Sequence, residues 1–171
     1  MIIHSKNHVS DVDEKSIQPN AVDIRLSELY RIEADDMRIT IGETVAKQFF
    51  PQKTIDPQTT LGMNQGPIKT YRIDPLASYQ FETAHKVKIP EGMCGWLIIR
   101  STLSRNGLIM SGGLYDAGYD GIIGGTIHNL TQGAILLEEN CRIGQFIMSD
   151  SETSHLYDGH YNKNEGRSVA E

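Results

Sequence analysis

The sequence Gly112-Gly113-Leu114-Tyr115-Asp116-Ala117-Gly118-Tyr119-Asp120-Gly121 places four glycines, two tyrosines and two carboxylates between two apolar runs. Glycine supplies the backbone conformations of a tight turn, and a tyrosine ring can pack on a sugar or a base. A fixed carboxylate can orient or deprotonate a water molecule. Two interpretations stay open here. One is a β-hairpin whose Asp116 serves only the turn backbone, and the other is a ligand-binding hairpin with a catalytic carboxylate.

The length and charge of the chain limit its functions. Its 171 residues suit one domain, and its net charge of −6 gives no electrostatic basis for binding nucleic acid or an anionic membrane. An anionic substrate therefore needs a local cationic pocket. We find no signal peptide or membrane span, and we expect Cys94 and Cys141 to be buried free thiols. These features predict a cytoplasmic protein with neither nucleic-acid nor membrane partners.

Short apolar runs with regular turn residues predict about ten strands and almost no helix, which is typical of a β sandwich or jelly roll. Residues 21–26 alternate apolar and polar side chains as in a half-buried strand. The polar pair of this strand, Asp23 and Arg25, is either a solvated ion pair or part of a site or subunit interface. The continuous apolar run at 96–99 predicts a strand buried on both faces.

Other segments carry weaker patterns. Residues 1–16 are polar and irregular, residues 35–45 predict a strand with a turn, and residues 51–70 read as a long connection. The polar tail after Ser149 cannot support a core of its own, so it is either disordered or ordered by docking. The six histidines show no metal-ligand spacing and are expected to be structural or solvated.

The run Arg100-Ser101-Thr102-Leu103-Ser104-Arg105 follows the apolar strand at 96–99. We expect Ser101 or Thr102 to cap one helical turn that Asn106-Gly107 ends. A helix start beside hydroxyls, Arg100 and Arg105 can cradle an anion. The alternative is a capped turn with solvated arginines.

Four blocks, in order along the chain, resemble the family of trimeric dUTP pyrophosphatases and dCTP deaminases. They are residues 17–26, 90–103, 113–121 and 142–146, and residues 157–162 are similar to the deaminase-like tail. The resemblance spans residues 16–168. It implies an all-β distorted jelly roll of the β-clip type, in a homotrimer with active sites at subunit interfaces. The implied domain is 16–150, between an N-terminal segment (1–15) and a tail (151–171) that closes over a neighbouring site.

The resemblance also implies a role for individual residues. Asp116 corresponds to the carboxylate that activates water for attack on the α-phosphorus of dUTP, with Mg²⁺ as cofactor. Tyr119 corresponds to the ring under the deoxyribose, and the backbone from Gly113 to Tyr115 to the part that reads the base. Asp23 corresponds to a carboxylate that contacts the metal through water. Together with the anion cradle and the tail, the expected substrate-binding residues are Arg100, Ser101, Thr102, Arg105, Gly113, Tyr115, Tyr119, Gln145 and Tyr157.

Thr126 separates the two reactions of this family. The family's metal-free deaminases have a glutamate ten residues after the aspartate that Asp116 matches, and that position is Thr126 here. A hydroxyl does not replace a carboxylate as a proton shuttle near neutral pH. We therefore expect hydrolysis of dUTP to dUMP and pyrophosphate, at a site for deoxyuridine or deoxycytidine nucleotides. Two alternatives stay open: dCTP deamination, alone or beside hydrolysis, and a nucleotide-binding trimer without catalysis.

Overall fold

The computed structural model describes residues 1–32, 52–54, 56–62, 66–159 and 162, and the strand predicted at 35–45 lies outside them. The described part contains one helix, α1 (Ser101–Arg105), and two 3₁₀ turns, Ser5–Asn7 and Glu14–Ser16. No helix in that part is long and apolar enough to cross a membrane. The strands are β1 (Ile2–Ile3), β2 (Ile17–Gln18), β3 (Ala21–Ile32), β4 (Gln52–Thr54), β5 (Gln58–Gly62), β6 (Gly66–Ile73), β7 (Ser78–Lys88), β8 (Met93–Ile99), β9 (Leu108–Ser111), β10 (Leu114–Tyr115), β11 (Asp120–Asn129), β12 (Ile135–Glu138) and β13 (Arg142–Asp150). The all-β prediction is confirmed.

Seven strands form one antiparallel path in the order β10-β8-β13-β3-β7-β11-β9. The strands at its two ends, β9 and β10, are separated in the chain only by Gly112 and Gly113. Because three Cα steps span at most about 11 Å, the two ends of the path must lie close together, and the sheet curls. Residues 112–121 therefore do not form a β-hairpin, so the hairpin geometry that both interpretations expected is wrong. β9 pairs with β11, whereas β10 crosses to the other end of the path and pairs with β8.

Alternate positions of β3 supply the core. Val22, Ile24 and Leu26 are at most 1% exposed, which confirms the predicted apolar face of this strand. Asp23 is fully buried as well, and its ion pairs do not include Arg25. The predicted solvated pair of these two residues is therefore wrong, because Asp23 pairs with Arg142 of β13 and Arg25 pairs with Asp13.

The outer side of β8 remains open in the single protomer. Leu97 faces the core and is 7% exposed, whereas its neighbour Ile98 is 39% exposed. Burial of residues 96–99 on both faces is thus wrong for one protomer, since only one face of this sheet meets the core. Cys94 and Cys141 are free, as predicted, but they are half-buried rather than buried.

A second, smaller sheet has the order β12-β6-β5. Its β5 and β6 pair from Gln58 opposite Thr70 to Gly62 opposite Gly66. The long connection predicted at 51–70 therefore contains two strands and the start of a third. The sequence pattern missed them because this hairpin is polar and lacks an alternating apolar face.

The N-terminal segment is tied to the main sheet rather than irregular. β1 pairs with β13, and the Ser5 hydroxyl donates to the Phe146 carbonyl at 2.8 Å. Further on, Val9 bridges to Val87 of β7. His85 lies beneath this segment, 1% exposed, with its Nδ1 2.7 Å from the Ser10 carbonyl oxygen. Its Nε2 has no hydrogen-bond partner within the described part of the chain.

We predict that His85 makes stability depend on pH. Burial lowers the pKa of His85, because the imidazolium loses its hydration. The unfolded chain, with a histidine pKa of about 6.5, then binds the proton first, so the free energy of unfolding falls as the pH drops below about 6.5. Denaturant titrations at several pH values between about 5 and 8, the range in which histidines titrate, measure the free energy of unfolding. In His85→Gln, the slope of this free energy against pH should be shallower than in the wild type. The exposed-site control His155→Gln should keep the wild-type slope, and equal slopes in all three proteins would contradict the prediction.

Candidate active site

The side chain of Tyr115 anchors the glycine-rich segment, residues 112–121, to the core. Its hydroxyl donates to the Gly124 carbonyl at 2.9 Å and accepts from the Gly124 N–H at 3.0 Å. Its ring meets those of Tyr119 and Phe146 edge-on, with centroids 5.0 and 5.4 Å apart. Burial raises the pKa of Tyr115 to about 12. This side chain is therefore structural, and only the backbone around it is available for the predicted contact with a base.

Asp116 begins the turn that follows Tyr115, and its side chain is exposed. Its carbonyl oxygen accepts from the Tyr119 N–H at 3.1 Å. The Tyr119 ring is only 8% exposed, and its hydroxyl donates to the Ile122 carbonyl at 2.7 Å. Burial is also the main cause that raises the pKa of Tyr119. The turn thus presents one free-standing carboxylate beside an immobilised, neutral phenol ring.

The tail docks on the glycine-rich segment of its own chain. The Tyr157 N–H donates to the Ala117 carbonyl at 2.7 Å, and the rings of Tyr157 and Tyr119 lie 5.7 Å apart. Gly118 has φ +90°, and a Cβ there would lie 3.1 Å from Leu156. Docking is thus the correct one of the two predicted alternatives for the tail residues that the structure describes. Closure over a neighbouring site stays a prediction.

A buried carboxylate organises a second cluster, on β3 and β13. Asp23 is fully buried, and its Oδ2 accepts from Arg142 Nη1 at 3.0 Å and from Gln18 Nε2 at 3.2 Å. Its Oδ1 accepts from Gln145 Nε2 at 3.0 Å, and Arg100 Nη2 lies 3.9 Å from Oδ2. Two guanidinium groups thus face one carboxylate, so the cluster is locally cationic. An open pocket of about 230 Å³ borders it at Gln18 and Gln145.

The surroundings of Asp23 do not fit a metal ligand. Both of its oxygens already accept hydrogen bonds from side chains, and the nearest charges are cations, which repel Mg²⁺. No cluster of three His, Cys, Asp or Glu side chains suited to a metal occurs in the described ranges. The predicted contact of Asp23 with Mg²⁺ through water stays a prediction, and the contacts that the structure describes are those of an anchor for Arg142 and Gln145.

The helix α1 follows Arg100, which is its N-cap and whose N–H donates to the Ile143 carbonyl at 3.0 Å. No side chain caps this helix, so the predicted cap by Ser101 or Thr102 is wrong. The predicted end is confirmed, with Asn106 as C-cap and Gly107 at φ +84°. Both hydroxyl residues and Arg105 are exposed, as an anion cradle requires.

Sequence reasoning gave no role to Arg142 or Gln18, although both hold Asp23. Arg142 lies in the block at 142–146, so the motif contained it, but its partner is 119 positions away and no spacing rule connects them. The pairing register of β3 and β13 connects these two residues. Gln145 lies opposite Asp23 and Arg142 lies opposite Arg25, with an irregularity between them that turns Arg142 toward the buried acid.

The family model described as dCTP deaminase-like matches residues 1–151. The chain belongs to the dCTP deaminase-like family. The match includes the N-terminal segment, which agrees with its pairing to β13 and β7.

Members of this family with two different names are similar to the chain. It is 27% identical over 155 residues to a protein of Halobacterium salinarum named probable deoxyuridine 5'-triphosphate nucleotidohydrolase, covering 91% of this chain and 88% of the relative. It is 33% identical over 94 residues to the dCTP deaminase of Pyrobaculum islandicum, covering 55% and 53%.

A solved structure supports the fold. The 2'-deoxycytidine 5'-triphosphate deaminase of Agrobacterium tumefaciens superposes with a TM-score of 0.61 at 18% identity, covering 85% of this chain and 44% of that one. The chain therefore spans less than half of that deaminase chain. The likeness confirms the fold class that the resemblance implied.

Within one protomer, this family member separates its candidate catalytic carboxylate from its cationic cluster. Tyr115, next to Asp116, lies opposite Gly95 of β8. Arg100 follows the far end of β8, five residues beyond Gly95, so the backbones of these two residues are about 16 Å apart at about 3.3 Å per residue. No hydrogen bond or ion pair of the described residues joins Asp116 to the Asp23 cluster. The structure thus presents two separate candidate clusters, Asp116 with Tyr119 and the cluster around Asp23.

We predict that Asp23→Asn destabilises the protein by about 1–3 kcal/mol, because it removes the buried negative charge that pairs with Arg142 and approaches Arg100. Chemical denaturation at one fixed protein concentration measures the change. The control Asp150→Asn breaks an exposed ion pair with the N-terminal amine and should have a much smaller effect. Equal effects of the two substitutions would contradict the anchoring role of Asp23.

Proposed function

We propose that the chain is a dUTP diphosphatase, which hydrolyses dUTP to dUMP and pyrophosphate. The observation that carries the proposal is the exposed carboxylate of Asp116 beside the fixed ring of Tyr119, in the segment whose sequence matches the third motif of the family. The relative from Halobacterium salinarum, which matches nearly the full chain, carries a name with the same activity.

In the proposed mechanism, Asp116 orients a water molecule and accepts its proton as the oxygen attacks the α-phosphorus. Pyrophosphate leaves on the opposite side. Arg100 and Gln145 bind phosphate oxygens, and their direction is set by Asp23. Tyr119 lies under the deoxyribose, where a ring that cannot move excludes a 2'-hydroxyl by steric conflict. Ser101, Thr102 and Arg105 extend the phosphate contacts along α1.

The separation of these two clusters leads us to infer a homotrimer in which each cluster is one half-site of a shared active site. No hydrogen bond or ion pair of the described residues joins Asp116 to the cluster that contains Arg100, so we infer that the two serve one nucleotide from neighbouring protomers. In a closed three-fold ring, Asp116 of one protomer meets Arg100 of the next. The exposed apolar side chains of Ile98 (39%) and Leu114 (61%), both on strands beside the half-sites, fit such an interface.

We propose that Mg²⁺ binds to the protein together with the substrate. Magnesium retains several waters and is commonly held by substrate phosphates with few protein ligands. When bound there, it neutralises charge on the phosphates. The protein's own part is to place the carboxylate, the guanidinium groups and the ring.

We predict that Asp116→Asn lowers kcat for dUTP by at least about 100-fold while nucleotide binding persists, because the amide cannot accept a proton from water. The assay scores dUTP, dCTP and dTTP with Mg²⁺, separately for pyrophosphate and ammonia. The control Asp120→Asn changes the adjacent carboxylate, which pairs with Lys88 at 3.6 Å, and should keep wild-type turnover.

Three results would contradict the proposal. Unchanged turnover in Asp116→Asn would move the chemistry to other residues. Ammonia from dCTP without pyrophosphate from dUTP would identify a deaminase. Nucleotide binding without either product would identify a binding protein.

We also predict that two inactive variants restore activity together. When equal amounts of Asp116→Asn and Arg100→Ala subunits are mixed at random, about a quarter of shared sites receive both intact residues from two different protomers. Co-expression should therefore recover about a quarter of the wild-type activity per site. Mixing Asp116→Asn with Asp116→Ala should recover none. If one protomer supplied both residues, the first mixture would also stay inactive.

A further inference from the structure

Three polar side chains form a chain of hydrogen bonds on the outer face of β11. Ile127 is 1% exposed and faces the core, so its neighbours Thr126 and His128 point to the opposite face. The Nε2 atom of His128 lies 3.2 Å from the Thr126 hydroxyl oxygen, and its Nδ1 atom lies 2.8 Å from the Ser78 hydroxyl oxygen. The imidazole thus links two hydroxyl groups, and all three side chains are half-buried.

These hydrogen bonds lie beside the backbone from Gly113 to Tyr115, which is expected to read the base. Thr126 is paired with Ser111, the last residue of β9, which is exposed and runs directly into Gly112 and Gly113. Paired residues of antiparallel strands carry their side chains on the same face, so the Thr126 hydroxyl lies beside Ser111, two residues before the start of the predicted base-binding backbone.

We propose that His128 is a specificity-determining residue that fixes the Thr126 hydroxyl as a hydrogen-bond acceptor for the ring N3–H of uracil. The proposal rests on the proposed function, because it concerns the same site. It gives Thr126 a positive role in choosing the base.

The proposed role depends on which imidazole nitrogen carries the hydrogen. A neutral ring has one donor and one acceptor nitrogen, and the two distances fit either assignment. We assign the hydrogen to Nδ1, so that Nδ1–H donates to Ser78, Nε2 accepts the hydrogen of the Thr126 hydroxyl, and only the lone pairs of that oxygen face the site. Uracil presents N3–H as a donor, whereas cytosine presents N3 as an acceptor. The fixed hydroxyl oxygen therefore accepts a hydrogen bond from uracil N3–H. With cytosine, its lone pairs face the lone pair of N3, which is unfavourable.

The role of His128 follows from what the hydroxyl would do without it. A free threonine hydroxyl rotates its hydrogen and serves as donor or acceptor. Removing His128 should then weaken the preference for uracil without removing the catalytic carboxylate. If the hydrogen bonds among Thr126, His128 and Ser78 were purely structural, removing His128 would change the stability but not the base preference.

The test compares Thr126→Val, Thr126→Ser, His128→Ala and the double variant Thr126→Val/His128→Ala. For each we would measure kcat and KM for dUTP, and the dissociation constants of dUMP and dCMP. Wild type should prefer dUMP. Thr126→Val and His128→Ala should each reduce that preference by about tenfold, with kcat changed by less than about threefold. Thr126→Ser should retain the preference, since it keeps the hydroxyl.

The double variant decides whether the two residues act through one group. If His128 acts through the Thr126 hydroxyl, the double variant loses no more preference than Thr126→Val alone. A loss equal to the product of the single losses would overturn the proposal. The control His8→Ala replaces a histidine of the N-terminal segment and should leave the preference unchanged.

Failure of this proposal is distinguishable from failure of the proposed function. An unchanged base preference in His128→Ala, or a wild type that binds both monophosphates equally, would overturn it even if dUTP is hydrolysed. A wild type that prefers dUMP through Thr126 and His128 but releases no pyrophosphate would overturn the hydrolysis and support the base contact.

Discussion

The link of two glycines between β9 and β10 is the constraint on which the site depends. It joins strands from opposite ends of a seven-strand path, so the sheet must curl. The curl brings the glycine-rich segment over the core, where the Tyr115 hydroxyl binds both backbone groups of Gly124. Tyr119 then packs on Tyr115, and the docked tail packs on Tyr119. A flexible loop sequence is thereby held in one conformation, and Asp116 projects from a fixed backbone.

A buried charge controls the other half-site. An isolated carboxylate in the core is unstable, and Asp23 is tolerated because side-chain donors satisfy both of its oxygens. Its single negative charge is opposed by two guanidinium groups, Arg142 and Arg100. The cluster keeps a local excess of positive charge in a chain with a net charge of −6. Binding of the proposed anionic substrate by an acidic protein requires such a local excess of positive charge, since the attraction acts only at short range.

The sequence predicted those features that depend on local pattern. The apolar face of β3, the end of α1 at Gly107 and the all-β class follow from side-chain periodicity and turn chemistry. It did not predict features that depend on register between distant strands. Three such features join residues remote in sequence: the pairing of Asp23 with Arg142, the crossing of β10 to β8, and the hydrogen bonds that link Thr126 through His128 to Ser78. Polar strands such as β5 were missed because they carry no apolar period.

Two independent properties of the protomer have one explanation in the proposed homotrimer. The exposed side chains of Ile98 and Leu114 leave apolar surface in water, and that surface becomes favourable only when something covers it. Separately, no hydrogen bond or ion pair of the described residues joins Asp116 to the cluster that contains Arg100. A neighbouring protomer placed against β8 and β10 would bury the apolar side chains and, by the same contact, bring a second cationic cluster toward Asp116. The energy of assembly and the completion of the site would then come from one surface, so catalysis would be confined to the assembled protein.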